Sequence, residues 1–433
     1  MPRLQAAAAS DRANACEALG LLGDKKAVGP LVHALRDLDG DVRAAACEAM
    51  GRLQDPRAIP PLVSMLRDDD ETVRGEAFAA LLAIGQARAA ALPLDLLAGE
   101  DPRNPSLQAT QIVWPADLEA IKLLDESLAD GDPEVRIGAA YALGALGIVG
   151  SFNALAWLLT EDPDLDVRAA AAAAIGQLGR AGDRRAETML VQAWERVRGD
   201  GEVAVDVVRA LVELGAKGAF FVFEQALHHA DERVRQLATL GLAGSGDPAA
   251  TPRLCRALRD PHTGVRRNAA AALARLGDPL AGDKLIQAAT PDEAAEVRAA
   301  IGEALSRMPL DRVQPALTRA LASQQAAERA AAAYLMGHVH DGEGLRRALQ
   351  DAVPAVRKAA ALSLGNAGRP ADRQPLEAAL GDPEWRVRVA AAEGLRRLGD
   401  PAAIPALARR AADDHPVVRN AITLAQRALE APR

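Results

Sequence analysis

From Asp37 to Leu66 the chain reads DLDGDVRAAACEAMGRLQDPRAIPPLVSML, and its apolar positions fall into two helical runs. Val42, Ala45, Ala46, Ala49, Met50 and Leu53 recur at helical spacing, which predicts an amphipathic helix beginning just after Asp39. Asp55 offers an N-cap, and Pro56 suits the first helical position, where a missing N–H costs nothing. A second helix follows with Ile59, Leu62 and Leu66 on its buried side, and Asp68 opens the next turn. Two short helices cannot cover both apolar faces between them, so the hairpin must stack on copies of itself.

The copies are found by anchoring on Arg43. Equivalent residues are Arg12, Arg74, Arg136, Arg168, Arg235, Arg266, Arg298, Arg329, Arg357, Arg388 and Arg419. Most steps are 31 residues and a few are 28 or 32, while two registers, near Pro105 and at Ala204, lack the Arg. About fourteen repeats are expected on this count. Six residues before the Arg an Asp recurs, at Asp37, Asp68, Asp130, Asp162, Asp260, Asp292, Asp351, Asp382 and Asp413. A carboxylate in the turn before a helix is within reach of both free N–H groups and a guanidinium. A ladder of such turns would fix the angle between neighbouring hairpins. Gly-Asp-Pro at Gly246, Gly277 and Gly399 supplies a left-handed helix stop, an N-cap and a first-turn proline in three residues.

Asp, five residues, then Val-Arg and A-A-x-A-L-G-x-L-G resembles the HEAT-like repeat, in the short form named after phycobilisome lyases. The resemblance covers almost the whole chain and implies an all-α solenoid, one right-handed superhelix over residues 1–433. It also implies that the helix carrying Val-Arg lines the concave face and the Pro-containing helix the convex one. It says nothing about chemistry, because HEAT-like solenoids include adaptors, transport receptors, bilin lyases and a di-iron hydroxylase. The hydroxylase needs His-Glu pairs just after the repeat Arg. Here those positions hold Ala13-Asn14, Ala44-Ala45, Gly75-Glu76 and Arg267-Asn268, so the likeness does not extend to that activity. A bilin-lyase-like or chromophore-handling role stays open as an alternative, since the acceptor cysteine of those enzymes belongs to their substrate.

Composition narrows the picture further. Aromatic residues make up 3% of the 433 positions, too few for the core of a compact α/β enzyme, while small Ala lets helices approach closely. No apolar run is long enough for a membrane span, and Met1 to Arg12 lacks the basic start and apolar centre of a signal peptide, so a cytoplasmic location is expected. Pro2 to Ala9 reads as a shortened second helix. Cys16, Cys47 and Cys255 form no C-x-x-C pair, which suits a reducing compartment. Cys16 and Cys47 hold equivalent places in adjacent repeats, but stacked helices lie about 8 to 10 Å apart, too far for a disulfide between them. Phosphate-loop, zincin and nucleophile-elbow motifs are all missing from the sequence. His338 with His340 and His228 with His229 sit at helix ends in different repeats, and no metal or other cofactor is expected.

Two stretches break the pattern. Residues 86–115 gather Pro93, Pro102, Pro105 and Pro115, yet Arg74 to Arg136 spans 62 residues, two periods of 31. Residues 180–205 lengthen one turn and replace another. Both are expected to be drifted repeats, hinges or partner loops within the solenoid. Next to the second lies FFVFEQALHHAD. Phe220, Phe223 and Leu227 match Ile59, Leu62 and Leu66, whereas Phe221 and Val222 match Pro60 and Pro61 and are expected to be exposed as a docking patch.

Charge is segregated. Residues 1–216 hold 21 Lys and Arg against 34 Asp and Glu, a net of −13, and residues 217–433 hold 30 against 25, a net of +5. Relative to the repeat Arg, positions +1, +5, +8 and +9 should face a groove, because −1, +2, +3, +6, +7 and +10 belong to the apolar stripe. In the C-terminal half these positions carry Arg267, Arg275, Arg307, Lys358, Arg396 and Arg397, while in the N-terminal repeats that keep the Arg, Arg52 is the one basic exception. Tyr141 and Tyr334, the only two tyrosines, both occupy +5. The expected function is a non-catalytic scaffold or adaptor whose groove binds a protein with an acidic surface. Nucleic-acid binding through the basic C-terminal half is the other alternative, and the oligomeric state is left open.

Overall fold

The computed structural model describes residues 2–91, 115–290 and 293–430, and every regular element among them is helical. The protein is an all-α solenoid. It divides into two compact units, residues 1–237 and 238–433.

In the first unit the repeat Arg sits on α1 (Ala9–Leu22), α3 (Gly40–Leu53), α5 (Glu71–Ala91), α7 (Pro133–Leu146) and α9 (Leu165–Arg180), with Ala204 in its place on α11 (Gly201–Glu213). The second helices are α2 (Val28–Ala34), α4 (Ile59–Met65), α6 (Pro115–Leu128), α8 (Phe152–Glu161), α10 (Arg185–Val197) and α12 (Phe220–Ala226). The boundary between units falls inside α13 (Glu232–Ser245). The second unit continues with α14 (Ala250–Ala257), α15 (Thr263–Leu276), α16 (Gly282–Ala288), α17 (Ala295–Ser306), α18 (Leu310–Leu321) and α19 (Ala326–His338). It ends with α20 (Gly342–Ala348), α21 (Pro354–Ala367), α22 (Arg373–Ala379), α23 (Trp385–Leu398), α24 (Ile404–Arg409) and α25 (Pro416–Glu430). Odd-numbered helices thus hold the repeat register, and each packs on the next from α1 to α11 and from α15 to α25.

The local rules read from the sequence operate as written. The Asp39 carboxylate accepts the N–H groups of Asp41 and Val42 and starts α3. Asp55 accepts the N–H of Arg57, but what it caps is a 3-10 turn, Pro56–Ala58, and α4 begins only at Ile59. Residues Pro2–Gln5 likewise form a 3-10 turn before α1. Ile59, Leu62 and Leu66 are buried as expected. On α3 the buried set is wider than one stripe. Ala44 and Cys47 are buried beside Val42, Ala46, Ala49, Met50 and Leu53, whereas Ala45 is half-buried. An odd helix has to face its own second helix and a neighbour on each side, so a single apolar stripe understates its contacts.

Two ladders join successive odd helices. At their N-terminal ends, Arg43 donates through Nη1 to the Asp37 carbonyl (2.9 Å) and through Nε and Nη2 to the Asp68 carboxylate (2.8 and 2.7 Å). Asp68 also accepts the N–H of Asp70, and its carbonyl accepts Arg74. Each guanidinium therefore pins its own turn and the turn of the next repeat. The same arrangement pairs Arg12 with Asp37, Arg136 with Asp162, Arg329 with Asp351, Arg357 with Asp382 and Arg388 with Asp413. Arg168 reaches Asp200, and Arg266 takes Glu293 at 2.8 Å; Asp292, six residues before Arg298, lies outside the described residues.

At the C-terminal ends the contact is steric. Glycine at +8 lies against the small residue at +6 of the next odd helix. A Cβ built on Gly51 would sit 2.9 Å from Ala80 Cα, one on Gly144 2.8 Å from Ala174 Cα, and one on Gly365 2.4 Å from Gly394 Cα. Position +8 is thus a seam between helices wherever it is glycine.

The irregular stretches take different forms. Residues 92–114 lie outside the described residues, but α5 packs directly on α7, with Gly85 against the Ala145 carbonyl. Arg74 pairs there with Glu134, and Asp130 with Arg67. Among the described residues no further layer separates the helices of Arg74 and Arg136, and most of the irregular stretch 86–115 lies outside them. Residues 180–205 end α9, form α10 and begin α11, which packs on α9.

The carboxylate ladder carries a pH dependence. The hydrogen bond from the preceding repeat's Arg holds Asp37, Asp68 and Asp351 below the usual carboxylate range, against the opposing effect of burial. Burial raises Asp413, but Arg388 and the His415 N–H bring it down to about 2. A carboxylate depressed in the folded state stabilises it above the unfolded value and loses that contribution as protons bind. Stability should therefore be flat near neutrality and fall from about pH 4 towards about pH 2. Urea midpoints across that range measure it, and a midpoint that does not move on acidification would contradict the ladder.

Candidate functional site

The exposed face of the odd helices is set by positions +5 and +9. Glu48 and Arg52 on α3, Glu303 and Arg307 on α17, and Glu393 and Arg397 on α23 hold these positions, and all but half-buried Glu393 are exposed. Arg397 on α23 donates to Asn366 on α21 at 2.7 Å, both being +9, so these positions form one row across neighbouring helices. Positions +1 and +8 behave otherwise. Ala44, Ala169 and Ala330 at +1 are buried, as are Gly51, Gly144 and Gly365 at +8. The expectation that +1 and +8 face a groove throughout is corrected to exposure in particular repeats, Arg267, Lys358 and Arg396 among them.

The basic residues are less available than their number implies. Arg307 pairs with Glu303 at 2.6 Å, and Arg396 and Arg397 both pair with Glu393 at 2.7 Å. Arg396 is the main cause, with Arg397 after it, that holds Glu393 at about 2. Arg267 lies 3.5 Å from Glu296. Arg275 and Lys358 are exposed and make no ion pair among the described residues. The acidic partners at +5 were legible as Glu-to-Arg pairs four residues apart, a spacing that brings side chains together on a helix.

Tyr141 belongs to the first unit and Tyr334 to the second. Tyr141 is half-buried with its ring 5.8 Å from that of Phe78, and burial, then Asp206, raises its hydroxyl pKa. Tyr334 is half-buried too, 5.0 Å from the His338 ring and beneath the Arg298 guanidinium at 5.9 Å. In the aromatic stretch Phe221 is 60% exposed as expected, whereas Val222 is 1% exposed and leaves the docking patch. On α12 the buried residues are Val222, Phe223 and Ala226, following buried Ala219 in the turn before it, and Phe220 is only half-buried. Matching to Pro60 and Pro61 on α4 failed because the stripe on α12 is rotated toward Val222.

Cysteine chemistry finds no support. Burial pushes the Cys16 thiol up to about 11 and the Cys47 thiol up to about 12, keeping both protonated and weakly nucleophilic. Among the described residues no group of three His, Cys, Asp or Glu side chains is arranged to hold a metal. No helix there is long and apolar enough to cross a membrane.

The family model for HEAT repeats matches residues 1–83, 30–111, 90–176, 221–306 and 342–427, and the chain belongs to that family. The match does not reach the narrower phycobilisome-lyase form. Among solved structures, the chain is similar to Kap95p with RanGDP, at 12% identity over 99% of this chain and 65% of that one, with a TM-score of 0.56. It is also similar to the karyopherin Kap121p bound to the extreme C-terminus of the protein phosphatase Cdc14p, at 13% identity, 95% and 50% coverage and a TM-score of 0.61. Kap121p bound to the SUMO protease Ulp1p gives 14% identity, 99% and 48% coverage and a TM-score of 0.56. The chain thus spans from about half to about two thirds of these proteins, and the likeness is one of fold. No curated protein matches this sequence.

Proposed function

We propose that this chain is a non-catalytic protein-binding scaffold, and that in the second unit the exposed row at +5 and +9 of the odd helices receives an acidic partner surface. The observation that carries this reading is the bridge from Arg397 to Asn366, which aligns +9 positions of adjacent helices into a continuous surface. Arg275 on this row and Lys358 at +1 beside it offer positive charge without an ion pair, and Tyr334 an anchor of a type favoured at binding hot spots. Arg307, Arg396 and Arg397 contribute after exchanging an intrahelical carboxylate for one on the partner. Proteins of similar fold seen bound to other proteins, such as Kap121p with Ulp1p, lend support.

Affinity capture from the source lysate tests it. Arg307→Glu with Arg397→Glu should lower recovery of at least one partner by about tenfold or more, and salt should weaken that capture. Arg347→Glu with Arg409→Glu, on the second helices α20 and α24, should change it little. Unchanged recovery of every partner after the first pair of reversals would remove this face from consideration.

A further inference from the structure

In the first unit a groove of about 550 Å³ opens beside the turn between α8 and α9. Its apolar lining is Leu128 and Ala129 at the end of α6, Ala154, Trp157 and Leu158 on α8, and Pro163 in the turn. The sequence step from Arg136 to Arg168 is 32 residues, and α8 has ten residues where α2, α4 and α12 have seven. The longer helix ends in an extended Asp162, and its Trp157 is 58% exposed. A tryptophan held out over an apolar floor is an unusual use of surface in a chain with four Trp.

Polar groups at the rim decide what could bind there. Asp162 is committed to Arg136 at 2.9 Å and Asp130 to Arg67 at 2.9 Å. Asp125, also lining the groove, is exposed on α6 and makes no ion pair among the described residues. An aromatic face beside an unpaired carboxylate suits a cation with an apolar stem, since a Lys or Arg can stack on Trp and reach a carboxylate with its head. Residues 1–216 carry a net charge of −13, which draws such a segment in and repels an acidic one.

We infer that this groove is a docking site for a lysine- or arginine-bearing segment of a protein partner, its cation between Trp157 and Asp125 and a neighbouring apolar side chain on Leu128 and Leu158. The inference is independent of the acidic-partner reading of the second unit, which has the opposite charge preference.

The probe is a displayed library of random dodecapeptides, panned on the full chain and then on Trp157→Ala and on Asp125→Lys. Both positions are exposed, so unchanged circular dichroism and melting should show that the variants remain folded. Peptides lost on both variants should carry Lys or Arg beside an apolar residue, with dissociation constants raised about tenfold or more by either change. Their binding should weaken as salt rises from about 50 to about 300 mM and should be unaffected by Arg307→Glu with Arg397→Glu. The inference fails if no recovered peptide needs Trp157, if those that need it are acidic or uncharged, or if every peptide recovered is lost on the Arg307→Glu and Arg397→Glu variant instead.

Discussion

Asp162→Ala should destabilise the first unit by about 3 kcal/mol, near the lower end of what breaking a buried ion pair costs. The Arg136 and Asp162 side chains are 10% and 2% exposed, so the loss leaves a guanidinium out of water without its counter-charge. Arg136 keeps its bonds to the carbonyls of Asp130 and Gly131, which holds the effect below the upper end. The same substitution also removes the acceptor of the Asp164 N–H in the turn that starts α9. By contrast, Glu48→Ala breaks an exposed pair with Arg52 and should cost less than about 0.5 kcal/mol. Replacing Arg136 and Asp162 together by Met and Leu should recover part of the loss, because no unpaired charge then remains buried. Urea unfolding measures the difference, and hydrogen exchange should place the lost protection in α7 to α9, since coupling in a repeat array is between neighbours. Equal destabilisation by Asp162→Ala and Glu48→Ala would show that the ladder does not hold the layers together.

The ladder itself was visible in the sequence because its parts recur at fixed offsets. An Asp six residues before nine of the twelve Arg specified the turn, and the structure added only which Asp the guanidinium grips: that of the next repeat, 25 residues on for Arg43. Exposure of single positions was harder to read. Positions +1 and +8 were assigned to a groove by helical geometry alone, which knows one partner helix, whereas each odd helix also has lateral neighbours. Gly51 and Gly144 could have given the second seam away, since a recurring glycine within a helix costs stability unless something must come close to it. The interval around Pro105 was hard to read for another reason. Length along the chain does not tell an inserted layer from a long connection, and α5 packs on α7 although 62 residues separate Arg74 from Arg136. Likewise the pairing of Arg307, Arg396 and Arg397 with glutamates one turn earlier was local and legible, while the groove beside Trp157 depended on three elements meeting and was not.

Gly365→Ala tests the steric seam. Its added methyl would lie 2.4 Å from Gly394 Cα and 2.6 Å from the Gly394 carbonyl oxygen, both backbone atoms that no rotamer change can move. Helices α21 and α23 must therefore separate, and inserting a methylene-sized group into a closed contact costs about 1 to 3 kcal/mol, with this case at the upper end. Gly75→Ala is the matched control within α5, where a Cβ meets nothing within 4 Å. There the helix gains about 0.5 to 1 kcal/mol, because alanine loses less backbone freedom on folding than glycine. The two substitutions are chemically identical, so opposite signs in urea unfolding would isolate the approach of the helices from helix propensity. A neutral Gly365→Ala would mean that the seam is not under steric constraint. The seam also lies next to the +9 row, one residue before Asn366. Moving α21 from α23 should break the Arg397 to Asn366 bond and weaken capture of any partner held by that row, even though Gly365 itself is buried and touches no partner.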